Sequence, residues 1–254
     1  MGLGGPQNRG LTPGTVFDTV PTEETMFRIA EQHPSPLRLA LLDVDGTVID
    51  SRAAILAAYR VAFTAVGVPF AEDAPGVARL LAQRVGEACV ELAGDHAAAC
   101  EQAYRDAYPV VSTSLVTALD GARELLDGLA ARGIPIGFVT NKGRDRLGPD
   151  LALAGFGDLS LAVVVTAEDS AERKPHPRPI QIALERTGCP PAEALYLGDG
   201  PHDVRSARVA GVAAVGAAYG YYERAVLEAE DPDLVVDRPD ELLGHIDAAC
   251  VVVR

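Results

Sequence analysis

The chain has 254 residues, of which 48% are hydrophobic and 23% charged, with a formal net charge of −14, no Trp and four Cys. That length suits one core domain plus a smaller inserted module, and the composition is ordinary for a globular protein. The acid surplus argues against binding nucleic acid or an anionic membrane through a broad basic surface. No apolar run approaches the length of a membrane span, and the N-terminus lacks the apolar stretch of a secretory signal. Aromatics are only 5% of the chain, so the core must be built from Ala, Val and Leu. Cys89, Cys100, Cys189 and Cys250 contain no C-x-x-C pair and read as buried thiols of a reducing cytoplasm.

Residues 1–36 are rich in Gly, Pro and Thr and read as a flexible extension with one short helix around Met26 to Gln32; Met26 is a candidate native start. Leu39-Ala40-Leu41-Leu42 then reads as a buried parallel strand that ends in Asp43-Val44-Asp45-Gly46-Thr47. Asp50 or Ser51 can cap a helix in which Ile55, Tyr59, Ala62, Phe63 and Val66 recur at helical spacing, closed by Gly67. Val77 to Gly86, Glu87 to Ala93 and His96 to Tyr108 predict further helices, and nothing in this block alternates with period two. The shift marks 52–112 as an inserted helical module between core segments 37–51 and 113–254.

From Leu119 a βα rhythm resumes. A helix over Gly121 to Arg132 precedes the strand Ile134 to Val139, and a helix from Arg146 to Ala154 precedes Leu161 to Val165. After Arg173-Lys174-Pro175 come a helix from Ile180 to Thr187 and the strand Ala194 to Leu197. That strand ends in Gly198-Asp199-Gly200-Pro201-His202-Asp203, followed by a helix to Ala210, a strand Val212 to Val215, an edge strand Leu234 to Val236 and a last helix Pro239 to Ala248. The fold class implied is α/β: a doubly wound parallel sheet with helices on both faces, carrying an α-helical insert.

Four polar clusters fall just after strands: Asp43 with Asp45, Thr140 with Asn141, Lys174, and Asp199 with Asp203. Taken singly, each has a plain reading as a turn, a solvated loop lysine or a helix N-terminal acid. In a parallel sheet, however, these loops converge on one edge. Asp43 and Asp45, at i and i+2 of an extended chain, point the same way and need a cation or a shared proton. Carboxylates are hard ligands suited to Mg²⁺, while a lysine, a hydroxyl and backbone N–H groups suit phosphoryl oxygens. The set reads as a Mg²⁺-dependent phosphoryl-transfer site.

These motifs, in this order and spacing over about residues 37–245, resemble the haloacid-dehalogenase superfamily, and the helical insert resembles its C1 cap. Thr140-Asn141-Lys142 and Lys174-Pro175 look most like the phosphoglycolate-phosphatase branch. The resemblance implies a phosphatase in which Asp43 is the nucleophile forming an aspartyl-phosphate and Asp45 is the general acid and base. Thr140, Asn141 and Lys174 would hold the phosphoryl group. Asp43, Asp45 (through its carbonyl) and Asp199 would hold Mg²⁺, with Asp203 supporting the metal shell or Lys174. The partner implied is a small phosphorylated metabolite. Arg52, Arg79 and Arg84 are candidates for reading a second substrate anion. His176, His202 and His96 are assigned no role. The alternatives are a β-phosphoglucomutase-like phosphomutase and a catalytically idle binding domain on the same fold.

Overall fold

The computed structural model describes residues 37–71 and 77–252. The readings made for residues 1–36, including the short helix and Met26, lie outside the described residues, as does the side chain of Arg79. Six strands form one parallel sheet: β1 (Leu39–Leu42), β4 (Ile136–Val139), β5 (Val163–Val165), β6 (Ala194–Gly198), β7 (Ala213–Ala217) and β8 (Leu234–Val236), in the order β5-β4-β1-β6-β7-β8. A two-residue pair, β2 (Ile49–Asp50) with β3 (Thr117–Ala118), forms a separate antiparallel ribbon.

The alternation along β1 explains the layering. Ala40 and Leu42 pack on one face of the sheet with Leu125, Leu126 and Leu129 of α5 (Ala122–Ala131) and Leu147 and Leu151 of α6 (Arg144–Leu153). Leu39 and Leu41 pack on the other, with Ile180 and Ala183 of α7 (Arg178–Thr187) and Val204 and Ala207 of α8 (Pro201–Ala210). A strand buried on both sides has no polar face, so it reads as one apolar run. β1 pairs with β4 through Leu42 and Phe138 and with β6 through Leu42 and Leu197. The chain runs outward in both directions from β1, which puts a crevice at its carboxyl end. A short helix, α9 (Arg224–Glu228), and a last one, α10 (Glu241–Val252), complete the core.

Among the described residues between β2 and β3 lie four α-helices: α1 (Arg52–Ala65), α2 (Val77–Ala82), α3 (Val85–Ala93) and α4 (Ala97–Leu115). The last runs seven residues past Tyr108, the expected end, and through Pro109. Tyr104, Tyr108 and Ser112, buried at intervals of four, hold that extension against the insert core. An aromatic cluster fills the centre, with Tyr59 and Tyr104 centroids 4.6 Å apart and Phe63 and Phe70 5.0 Å apart.

The insert is tied to the core through the loop after β5. The Arg84 guanidinium donates to the carbonyls of Ala167, Ser170 and Ala171 at 3.3–3.4 Å. Glu87 of α3 pairs with Arg173, and Arg105 of α4 lies 3.5 Å from Asp145 of α6. Among the described residues no helix is long and apolar enough to cross a membrane. Cys89, Cys100 and Cys189 are free and buried.

Candidate active site

The end of β1 builds the site. The Asp43 N–H makes the last ladder bond, to the Leu197 carbonyl at 2.9 Å. The chain then turns around the Val44 carbonyl, which accepts the N–H groups of Thr47, Val48 and Ile49. Gly46 makes the turn possible: its φ is +74°, and a Cβ there would overlap the Asp199 carboxylate. Asp43 and Asp45 both line a cleft, together with Thr140, Asn141, Lys142 and Asp199.

Lys174 is completely buried and sits between two carboxylates, 3.0 Å from Asp43 Oδ2 and 2.7 Å from Asp203 Oδ1. Its Nζ also donates to the Tyr196 hydroxyl at 2.6 Å, which passes its own proton to the Val139 carbonyl at 2.7 Å. Burial works against the ammonium, but Asp203 and Asp43 outweigh it and push its pKa up. Asn141 holds this lysine in place. Its side-chain oxygen accepts the Lys174 N–H at 3.2 Å and its amide donates to the Lys174 carbonyl at 3.4 Å. The Asn141 side chain thus holds the Lys174 backbone in place while lining the cleft. Thr140 Oγ1 accepts the Lys142 N–H at 3.1 Å, which leaves its own proton to donate.

Asp203 is both a helix N-terminal acid and an ion-pair partner. One oxygen accepts the Gly200 N–H at 3.0 Å and the other meets Lys174. Asp199 lies next to it, with Oδ2 accepting the Tyr221 N–H at 2.7 Å. Burial, then the charges of Asp203 and Asp43, push the Asp199 carboxyl well above its ordinary range. Burial also raises Asp43, to about 6, against the pull of Lys174 and with the push of Asp203 and Asp45. Three buried carboxylates face one ammonium, and Asp43 Oδ1 is buried with no hydrogen-bond partner among the described residues. That unmatched negative charge and bare oxygen fit a hard divalent cation. An oxygen of Asp43, one of Asp203 and a ring nitrogen of His202 lie within 4.8 Å of one another. Both Asp203 oxygens are already committed, so Asp43 and Asp199 are the better ligands.

Asp45 is arranged differently. Burial works to raise its pKa, but Lys142, Ser51 and Arg146 together hold it below the usual carboxylate range. Lys142 Nζ is 2.7 Å from Asp45 Oδ1 and 2.6 Å from Asp150 Oδ2, with no side-chain exposure. The Tyr108 hydroxyl, from the insert, donates to Asp150 Oδ2 at 2.6 Å. Ser51 Oγ donates to Asp45 as well.

Of the sequence-derived candidates, Asp43, Asp45, Thr140, Asn141, Lys174, Asp199 and Asp203 come together at this edge. Arg52 and Arg84 do not join them: Arg52 is exposed, its guanidinium 5.9 Å from the Tyr221 ring centroid, and Arg84 is engaged with the 167–171 carbonyls. His202, given no role from the sequence, lies in the cleft 3.5 Å from Asp203, where burial holds its ring below the usual histidine range against the pull of that carboxylate. Lys142, Tyr196 and Arg146 are also functional neighbours that sequence reasoning missed.

A parallel α/β sheet with a helical insert, and an acidic pair closing its central strand beside a buried lysine, defines a class of hydrolase fold. Residues 40–217 match the haloacid dehalogenase-like hydrolase family, and the chain belongs to it. A phosphoglycolate phosphatase from Pectobacterium atrosepticum is 30% identical over 219 residues, covering 82% of this chain and 93% of the relative. Pyrophosphatase PpaX from Bacillus velezensis is 31% identical over 220 residues, covering 81% and 94%. The crystal structure of a hydrolase from Pseudomonas syringae superposes with a TM-score of 0.71 at 27% identity, over 82% of this chain and 97% of that one.

Proposed function

We propose that this chain is a Mg²⁺-dependent phosphatase that hydrolyses a small phosphorylated metabolite through an aspartyl-phosphate on Asp43. The observation that carries the reading is the state of Asp43: one oxygen is anchored by Lys174, and the other is buried and, among the described residues, without a partner at the carboxyl end of the central strand. Relatives named for phosphoglycolate and for pyrophosphate support a compact phosphorylated substrate. The reducing cytoplasm expected from the cysteines agrees with such a metabolite.

An Asp43 oxygen attacks phosphorus, and the bond from phosphorus to the leaving oxygen breaks. Lys174 and the Thr140 hydroxyl stabilise the phosphoryl oxygens. The leaving oxygen takes a proton from Asp45, and in the second half Asp45 takes one from the water that opens the aspartyl-phosphate. Lys142 keeps Asp45 in its accepting form; a substrate dianion arriving beside it offsets that pull and favours protonation for the first half. Mg²⁺ held by Asp43, Asp199 and the Asp45 carbonyl would supply charge neutralisation between nucleophile and phosphoryl group. Residues 37–51 and 113–254 form the catalytic core and 52–112 the cap that shields the site from water.

Phosphate release from phosphoglycolate, pyrophosphate and p-nitrophenyl phosphate, with Mg²⁺ and with EDTA, tests this. Mg²⁺-dependent release that Asp43→Asn abolishes, with an unchanged far-UV spectrum, is expected. Turnover retained by Asp43→Asn would reject the nucleophile, and no turnover of any phosphorylated metabolite by the parent would reject the enzyme.

A further inference from the structure

Away from the acidic edge the cleft runs under the helical insert. Ile55, Leu80, Leu81 and Val85 give it apolar walls there. Two polar groups break that surface: among the described residues one lacks an ion-pair partner and the other a hydrogen-bond partner. Arg146, on the first turn of α6, lies with its guanidinium 5.2 Å from the Tyr108 ring centroid and 5.8 Å from that of Tyr104. It donates to the Tyr104 hydroxyl at 3.3 Å. Among the described residues it forms no ion pair, whereas its neighbour Arg144 is paired with Asp169 at 2.7 Å. Tyr59, on α1, is fully buried, and its hydroxyl has no hydrogen-bond partner among the described residues. Burial pushes the Tyr59 pKa up, so the group remains a donor. A buried donor without an acceptor costs about 1–3 kcal/mol, and a guanidinium resting on aromatic faces still has N–H groups to offer. One kind of partner answers both needs: an anionic group with several oxygens.

The position of this pair says which part of the substrate it meets. Arg146 is close enough to Asp45 for its charge to help hold that carboxylate down. Asp45 exchanges its proton with the leaving oxygen. Tyr108, on whose ring the Arg146 guanidinium rests, has its hydroxyl 3.3 Å from the Lys142 ammonium that pairs with Asp45, so Arg146 stands on the Asp45 side of the cleft, the side of the leaving portion. Asp43, Asp45, Arg146 and Tyr59 all line the same cleft, so one compact ligand spans them.

We propose that Arg146 and Tyr59 form a subsite for a second anionic group, a carboxylate or a second phosphoryl group, on the leaving portion of the substrate. The inference rests on the phosphatase reading above and narrows its substrate class to small phosphate compounds with an anion at each end. It adds a core arginine and an insert tyrosine to the residues that would set specificity.

The test compares kcat/KM on 2-phosphoglycolate and pyrophosphate with that on ethyl phosphate and 2-hydroxyethyl phosphate, which lack the second anion. The parent protein is expected to prefer the first two. Arg146→Gln is expected to lower the ratio of charged to uncharged substrates by about 10- to 100-fold, the worth of one hydrogen-bonded charge. Arg146→Lys should recover part of the ratio, and Tyr59→Phe should raise KM for the charged substrates more than it changes kcat. A larger loss on phosphoglycolate than on pyrophosphate identifies a carboxylate as the native second anion; the reverse identifies a phosphoryl group. Thermal melting of each variant shows whether it is folded. A folded Arg146→Gln protein with an unchanged ratio, or a parent with no preference for the doubly anionic compounds, overturns the proposal while leaving the phosphatase reading intact. Failure of the parent on all four compounds overturns that reading itself.

Discussion

Replacing Lys142 by Met isolates the contribution of one buried ammonium. Lys142 has no side-chain exposure and stands 2.7 Å from Asp45 and 2.6 Å from Asp150. Met keeps most of the stem volume but strands two carboxylates across the space the ammonium held. Removing one partner of a buried pair costs about 3–5 kcal/mol. Asp45 retains the Ser51 hydroxyl and 14% side-chain exposure, so the lower end, about 3 kcal/mol, applies. In a domain of this size that lowers the melting temperature by about 6–12 °C. Calorimetry at pH 7 reads it directly. Asp150→Asn placed on Lys142→Met removes one stranded charge and keeps an acceptor for Tyr108, so it should restore more than half of the loss. The sign with pH follows from Asp45, whose pKa is held down in the folded protein. Its contribution is present above the ordinary carboxylate pKa and lost as pH falls through the folded value. The gap between parent and variant should therefore narrow toward acid pH, and, because the first half of the reaction draws a proton from Asp45, the alkaline limb of kcat/KM should move to higher pH. A melting temperature within 2 °C of the parent at pH 7 (well inside the shift of about 6–12 °C), or no recovery from Asp150→Asn, would refute the reasoning.

The other expectations rest on separate parts of the molecule. Mg²⁺ at a hundredfold excess over its dissociation constant should stabilise the protein by about 2.7 kcal/mol. Asp199→Asn should abolish that response while raising metal-free stability at neutral pH, because it removes a charge opposed by burial, Asp203 and Asp43; a metal-free protein no more stable than the parent in urea would contradict this. Gly220→Ala should destabilise by about 1–3 kcal/mol and weaken Mg²⁺ binding, since its Cβ would overlap both Asp199 and the Gly46 carbonyl; an unchanged urea midpoint would show the loop to be looser than described. Asp169 accepts the Thr166 N–H at 2.8 Å and faces Arg144 and Arg186, each at 2.7 Å. Those bonds outweigh burial and hold its pKa low. The stability it gives is present above about pH 4 and lost as pH falls through the folded value. Asp169→Asn should flatten the acid side of a stability-against-pH curve, and an unchanged slope would count against it.

The elements that could be read from the sequence are those whose signal is local. Leu39–Leu42 is an apolar run followed by an acid, and such a run marks both a buried strand and the edge where ligands bind. Asp43, Thr140 and Asp199 directly follow such runs and Lys174 lies in the loop after one; their roles came from the resemblance of the four motifs taken together. Lys142 stands in the same triplet as Thr140 but looks like a solvated loop lysine. Only the placement of β4 beside β1 brings its ammonium to Asp45, 97 residues away. Tyr196 sits in an apolar strand and cannot be told from a core aromatic until its hydroxyl is seen between Lys174 and the Val139 carbonyl. The ribbon of β2 and β3 has two residues in each strand, too few to show a period. Arg84 was legible as a cation in the helical block, but its direction, toward the 167–171 carbonyls, is set by how the insert seats on the core. Arg146 had a usable signal: a charged residue on the first turn of the helix that follows the Thr140 loop.

The ties between insert and core bear on how these modules can be exchanged. Arg84 and Glu87 reach the same short stretch, residues 167–173, which leads directly into Lys174. An insert grafted from a relative would arrive without its counterparts unless that stretch travelled with it. The mismatch would surface first in the loop that carries the ammonium beside Asp43, ahead of any change in the sheet. The unit of substitution is thus discontinuous, comprising the helical segment together with a loop some fifty residues downstream of its last helix, and a chimera assembled on sequence boundaries alone would fold and yet misplace Lys174.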